Sequence, residues 1–147
     1  MKGFTLIELT ITIAVILVAS HIATLNFSLT ERRQIQSVAE ELKNNIRYTQ
    51  RLAIAENKQV KLFFDKENKN SYFITKKDGM SETTLKTIVF PEKINLRTTN
   101  NSEIHFTPKG TIDKASRIIL ESNNYTIELT LSIGTGKVDI KEVQKKA

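Results

Sequence analysis

Glu8 is the residue whose type and place first demand a chemical account. Behind it, residues 9–30 contain no Lys, Arg, Asp or Glu. As a helix those 22 residues would span about 33 Å, the thickness of a bilayer core. A carboxylate in such a segment costs roughly 2.5–3.5 kcal/mol on insertion scales, and residues of this kind are held by a partner, here a cation at similar depth. The competing explanation is an acid near a helix start, where the macrodipole favours it. A second candidate group is Lys43, Arg47 and Arg51, at steps of four on one helix face. Like charges at that spacing repel slightly and suit a partner such as DNA phosphate, acids of a neighbouring protein or an anionic cell wall. The plainer account is a solvated face balanced by Glu40 and Glu41. Lys137, Lys141, Lys145 and Lys146 form a basic C-terminal end with Asp139 and Glu142 among them, open to the same two accounts.

Other chemistries lack their residues. There is no cysteine, so disulfides, thiolate metal sites and a cysteine nucleophile are excluded. His21 and His105 are the two histidines, too few for an imidazole-rich centre. The serines have no nucleophile-elbow sequence and no phosphate-binding glycine loop exists. Asp65, Glu67, Asn68 and Asn70 imitate a calcium loop, but Asn70 stands where its glycine belongs and Lys76 where its last glutamate belongs. The segment reads as a polar turn. Neither an enzyme nor a bound cofactor is expected.

The elements that must carry these residues fit one domain of 147 residues, 39% hydrophobic and 26% charged, with a net charge of +6. The apolar run admits a secretory signal cleaved near Val18-Ala19-Ser20, or a plain N-terminal anchor. Met1 and Lys2 favour a cytoplasmic N-terminus, while Arg32 and Arg33 at the far end oppose that bias. Residues 31–56 read as an amphipathic helix, with Ile35, Val38, Leu42, Ile46, Thr49 and Ala53 at steps of three and four. No Gly or Pro interrupts residues 9–56, so one helix over 4–56, about 80 Å long, is expected.

After Asn57 the pattern becomes alternating. Strands are expected over 59–64, 71–75, 85–90, 93–97, 103–107, 117–121, 125–133 and 137–140. Residues 65–70, Pro91-Glu92, Pro108-Lys109-Gly110, Ser122-Asn123-Asn124 and Gly134-Thr135-Gly136 are the turns. His105 is expected on the strand face opposite Ile104 and Phe106, and the tail from Glu142 is expected to fray. The fold class is α+β: a long helix followed by an antiparallel meander.

Lys2-Gly3-Phe4-Thr5-Leu6-Ile7-Glu8-Leu9, directly before an apolar run, resembles the processing motif of type IV prepilins. The order 103–110 (EIHFTPKG), a Lys- and Ile-rich strand, then Ile133-Gly134-Thr135-Gly136-Lys137-Val138 is similar to the minor pilin and pseudopilin group that includes GspH and FimT. Residues 42–46 with Thr49-Gln50, and 125–138, resemble the minor pilins of Gram-positive competence. The resemblance implies cleavage between Gly3 and Phe4 by a prepilin peptidase, N-methylation of Phe4, and pairing of Glu8 with the N-terminal amine of a neighbouring subunit. It implies a leader over 1–3, a membrane and assembly helix over 4–30, and an extracytoplasmic domain over 31–147 whose sheet covers 59–141. It implies other major and minor pilins as partners, served by an assembly ATPase and a membrane platform. The expected location is the membrane, single-pass, then a surface pilus. Its function would be DNA uptake, or protein secretion in the pseudopilin branch. Double-stranded DNA is a further expected partner, through Lys43, Arg47, Arg51, Lys137 or Lys141. Unlike many major pilins, the apolar segment holds no helix-breaking Gly or Pro.

Overall fold

The computed structural model describes residues 5–65, 70–79, 81–99 and 102–144, with side chains 21–29, 143 and 144 outside the description. Helix α1 runs unbroken over Leu6–Glu56, as the lack of Gly and Pro predicts. Thr5 caps its start. The Glu8 amide donates to the Thr5 carbonyl at 3.1 Å and to Thr5 Oγ1 at 3.4 Å. Thr5-x-x-Glu8 has the spacing of a capping box, an N-terminal signal that sequence reading passed over. At the other end Asn57 adopts φ 51°. Its amide donates to the Ile54 carbonyl and the Lys58 amide to that of Ala53, which closes a Schellman motif.

The chain divides into two compact units, Met1–Arg33 and Gln34–Ala147. In the first, every described side chain from Thr5 to Ser20 is exposed. Among the described residues no helix is long and apolar enough to cross a membrane. The expected span over 9–30 includes residues whose side chains lie outside the description, and Thr10, Thr12 and Ser20 are polar residues of its described part. Those hydroxyls are satisfied inside the helix: Thr10 donates to the Ile7 carbonyl, Thr12 to Leu9 and Ser20 to Ile16, each at 2.8 Å.

The second unit holds the core. Ile35, Ala39, Leu42, Ile46, Thr49 and Ala53 of α1 are buried. Val38, expected on that stripe, is half-buried and Ala39 takes its place. The strands are β1 (Val60–Phe64), β2 (Ser71–Asp78), β3 (Ser81–Val89), β4 (Asn95–Thr98), β5 (Glu103–Phe106), β6 (Ser116–Glu121), β7 (Tyr125–Leu131) and β8 (Val138–Gln144). They form two antiparallel sheets rather than one meander, ordered β3-β2-β1-β5 and β4-β6-β7-β8. The α+β class holds; the simple order of neighbours does not, because β5 returns to pair with β1. Alternation is clean in β1, where Val60, Leu62 and Phe64 point into the core.

Several strand ends differ from expectation: β2 runs on to Asp78 instead of stopping at 75, β4 starts at Asn95 instead of 93, and three further ends have a visible cause. β3 begins at Ser81, not at 85. It is an edge strand exposed on almost its whole length, so Ser81, Glu82, Thr83 and Thr84 carry no hydrophobic signal. β7 stops at Leu131, since Ile133 lies in the turn and is exposed. β8 continues to Gln144 where fraying is expected, held by its ladder with β7 and by Gln36 Nε2 donating to Glu142 Oε2 at 2.9 Å.

Candidate assembly site

Gly3 and Phe4, the expected cleavage pair, lie outside the described residues, as do the side chain of His21 and the whole of Lys145 and Lys146. What is described begins with Glu8 in the first turn of α1, exposed. Behind it Leu9, Ile11, Ile13, Val15, Ile16, Leu17 and Val18 are each at least half exposed. An apolar surface of that extent marks a membrane or protein contact. Covering it with lipid or other helices removes it from water at a gain of about 25 cal/mol per Å2.

The sheet unit is locked to its helix by a polar clasp. Gln50 Nε2 donates to the Gly110 carbonyl at 2.7 Å and to the Thr135 carbonyl at 2.9 Å. Gly110 has φ 74°, and a Cβ there would meet Ile54 Cδ1 at 2.6 Å. Gly136 has φ 61°, and a Cβ there would meet Gln50 Nε2 at 2.9 Å. Both turns need glycine for backbone conformation and for close approach. Three segments singled out in the sequence, Thr49-Gln50, Pro108-Lys109-Gly110 and Gly134-Thr135-Gly136, thus meet at one point.

A second buried link joins α1 to the first sheet. Asn45 is 7% exposed, and its Nδ2 donates to Tyr72 Oη at 2.7 Å. Its Oδ1 accepts from Lys86 Nζ of β3 at 3.1 Å. Burial pushes the Tyr72 phenol well above the ordinary tyrosine range, against the lowering effect of the Asn45 hydrogen bond. Sequence reading assigned Asn45 and Tyr72 no role.

The β2–β3 hairpin is fastened to the α1–β1 corner by Lys76–Glu56, Lys58–Asp78 and Lys61–Glu82 ion pairs. Hydrogen bonds from Lys58 and Lys61 hold the Asp78 and Glu82 carboxyls below the ordinary range.

The expected basic contacts fall into two sets. Lys43 is tied to Glu40 at 3.1 Å, while Arg47 and Arg51 are exposed and make no ion pair among the described residues. Lys137 pairs with Asp139 at 3.1 Å, and Lys141 lies on β8 opposite Glu128. The clasp puts the turn before Lys137 against the helix that carries Arg47 and Arg51. His105 faces away from Ile104 and Phe106, as expected, and its Nε2 lies 2.7 Å from Glu103 Oε2.

A capped, exposed apolar helix continuing into a helix that backs two antiparallel sheets is the arrangement of a pilin-like fold. Residues 1–24 match the model described as the prokaryotic N-terminal methylation motif. The chain is 27% identical over 142 residues to the competence protein ComGD of Bacillus subtilis (strain 168), covering 95% of this chain and 93% of that one. The fold is similar to that of the type IV minor pilin FimU of Pseudomonas aeruginosa, with a TM-score of 0.65 at 18% identity over 77% of this chain and 92% of that one. It is also similar to the minor pseudopilin EpsH of the Vibrio cholerae type 2 secretion system, with a TM-score of 0.64 at 7% identity over 74% and 96%. The chain is thus similar in its N-terminal motif, along its length and in its fold to type IV minor pilins and pseudopilins.

Proposed function

We propose that this chain is a minor pilin of a competence-type pilus, a structural subunit that helps initiate or cap a filament serving DNA uptake. The observation that carries the subunit role is the exposed apolar surface from Leu6 to Val18 with Glu8 in its first turn. The competence assignment follows the likeness to ComGD along nearly the whole chain. In this reading the precursor inserts with its N-terminus cytoplasmic and its sheet unit outside. A prepilin peptidase hydrolyses the Gly3–Phe4 bond and Phe4 is N-methylated. Glu8 then neutralises the terminal amine of a neighbouring subunit as the helix exchanges lipid for other pilin helices. Because Thr10, Thr12 and Ser20 bond their own helix, they tolerate that apolar setting. An assembly ATPase and a membrane platform supply the work.

A secretion pseudopilin is the second reading, favoured by the fold likeness to EpsH. Direct capture of duplex DNA is weaker, because Lys43 and Lys137 already have acid partners and Tyr48 is the one aromatic residue beside the stripe.

The test is uptake of labelled duplex DNA by a host lacking only this chain. Loss of uptake, restored by the wild-type chain and not by Glu8→Ala, is the expected result. Undiminished uptake would move the assignment to secretion.

A further inference from the structure

We propose that the solvent face of the first sheet is a docking surface for the Arg47–Arg51 helix face of a second copy of this chain. Both sheets show ion pairs to solvent, and the first shows an aromatic pair as well. The second is laced with ion pairs, Arg117–Glu128 at 2.9 Å and Arg97–Glu121 at 3.5 Å, which is an ordinary solvated surface. The first carries Phe63 of β1 and Phe73 of β2 directly opposite each other, both half-buried. Their rings stack with centroids 6.4 Å apart and planes 28° apart. They floor a shallow cleft of about 400 Å3 whose walls include Lys61, Glu82 and Glu103. Glu103 stands opposite Phe63 on β5, so one row across the sheet reads Phe73, Phe63, Glu103. Lys61 is already neutralised by Glu82. Glu103 Oε2 lies 2.7 Å from His105 Nε2, and its carboxylate is the acid of this cleft that makes no pair with a lysine or arginine among the described residues.

Two adjacent phenyl faces followed by a carboxylate suit guanidinium groups, which stack on aromatic rings and pair with carboxylates. Spacing selects among cations. Residues four apart on a helix are separated by about 6 Å along its axis, close to the 6.4 Å between the rings. Arg47 and Arg51 have that separation, are exposed, and make no ion pair among the described residues. Both halves of the contact are thus present in one chain, on different faces of the same unit. A contact of this kind is heterologous, so it propagates from copy to copy instead of closing as a symmetric pair. It rests on the subunit reading only in needing more than one copy side by side, and it is tested without DNA uptake.

The experiment places the photo-crosslinker p-benzoylphenylalanine at Phe73 of the full chain in detergent micelles. A second probe goes at exposed Thr84 in case the first disturbs the sheet. A probe at exposed Asn95 on the second sheet measures background from association through the apolar helix. The expected result is a covalent dimer whose linked peptide contains Arg47 or Arg51. It should fall at least tenfold in Arg47→Glu/Arg51→Glu and recover when Glu103→Arg is added. A dimer no stronger than the Asn95 background, one linked to a different segment, or one indifferent to the double substitution would overturn the proposal.

Discussion

Gln50 and Gly110 lie sixty positions apart in the chain, yet Gln50 Nε2 donates to the Gly110 carbonyl at 2.7 Å. The same nitrogen reaches the Thr135 carbonyl at 2.9 Å. One helical side chain therefore satisfies two turn carbonyls that no strand partner reaches.

That relationship has a stability consequence. Gln50→Ala removes both hydrogen bonds and is expected to cost about 1–3 kcal/mol. Gly110→Ala is expected to cost about 1–2 kcal/mol, from its positive φ together with displacement of Ile54. Urea unfolding of the full chain in detergent, followed by a probe of the sheet unit, measures both. If either variant unfolds at the wild-type midpoint, the clasp is ornamental.

Tyr72→Phe keeps the ring contacts with Phe64 and Phe90 and removes the acceptor of the buried Asn45 amide. A cost of about 1–3 kcal/mol is expected, because an unsatisfied buried donor loses its water without replacement. A double-mutant cycle with Asn45→Ala should show coupling; additive effects would mean the hydrogen bond contributes nothing.

The ion-paired hairpin should respond to acid. Asp78 and Glu82 have folded pKa values below their unfolded ones, so their contribution is present above the unfolded values, near 3.9 and 4.3. It is lost as pH falls through the lower folded values. Hydrogen exchange in β2 and β3 should accelerate there before the rest of the sheet. Tyr72 has the opposite sign. Its raised pKa favours the fold below the ordinary tyrosine value near 10, and this contribution is lost as pH rises beyond it. Equal protection of β2–β3 and β6–β7 across the acid range would refute the local response.

Processing and assembly separate two roles at the N-terminus. Under the proposed processing, Gly3→Ala adds a methyl group beside the bond to be cut, and the precursor is expected to persist, as read by mass. Glu8→Ala is expected to insert and be cleaved but not to co-purify with other pilins. Because Glu8 also sits at the capping position after Thr5, Glu8→Gln is the sharper variant: it keeps a capping side chain and removes the charge. Assembly of Glu8→Gln at wild-type level would leave capping as the residue's whole role.

Much of the molecule is decided by local rules that can be read along the chain. Unbroken helix formers up to Glu56, stopped by Asn57, determine the extent of α1, and the alternation of Val60, Leu62 and Phe64 determines which face of β1 is buried. The motif around Gly3, Phe4 and Glu8 is likewise a matter of adjacent residues. Tertiary structure alone decided that β5 pairs with β1, that the strands split into two sheets, and that Gln50 spans two turns. Backbone amides are alike in every strand, so pairing is chosen by which apolar faces can be buried together, a property of the whole chain. The edge strand β3 shows the same limit from the other side: exposed on nearly every residue, it has no periodicity to read. The Phe63–Phe73 pair needs both levels, since alternation puts each ring on the solvent face and only the register of β1 against β2 sets them side by side.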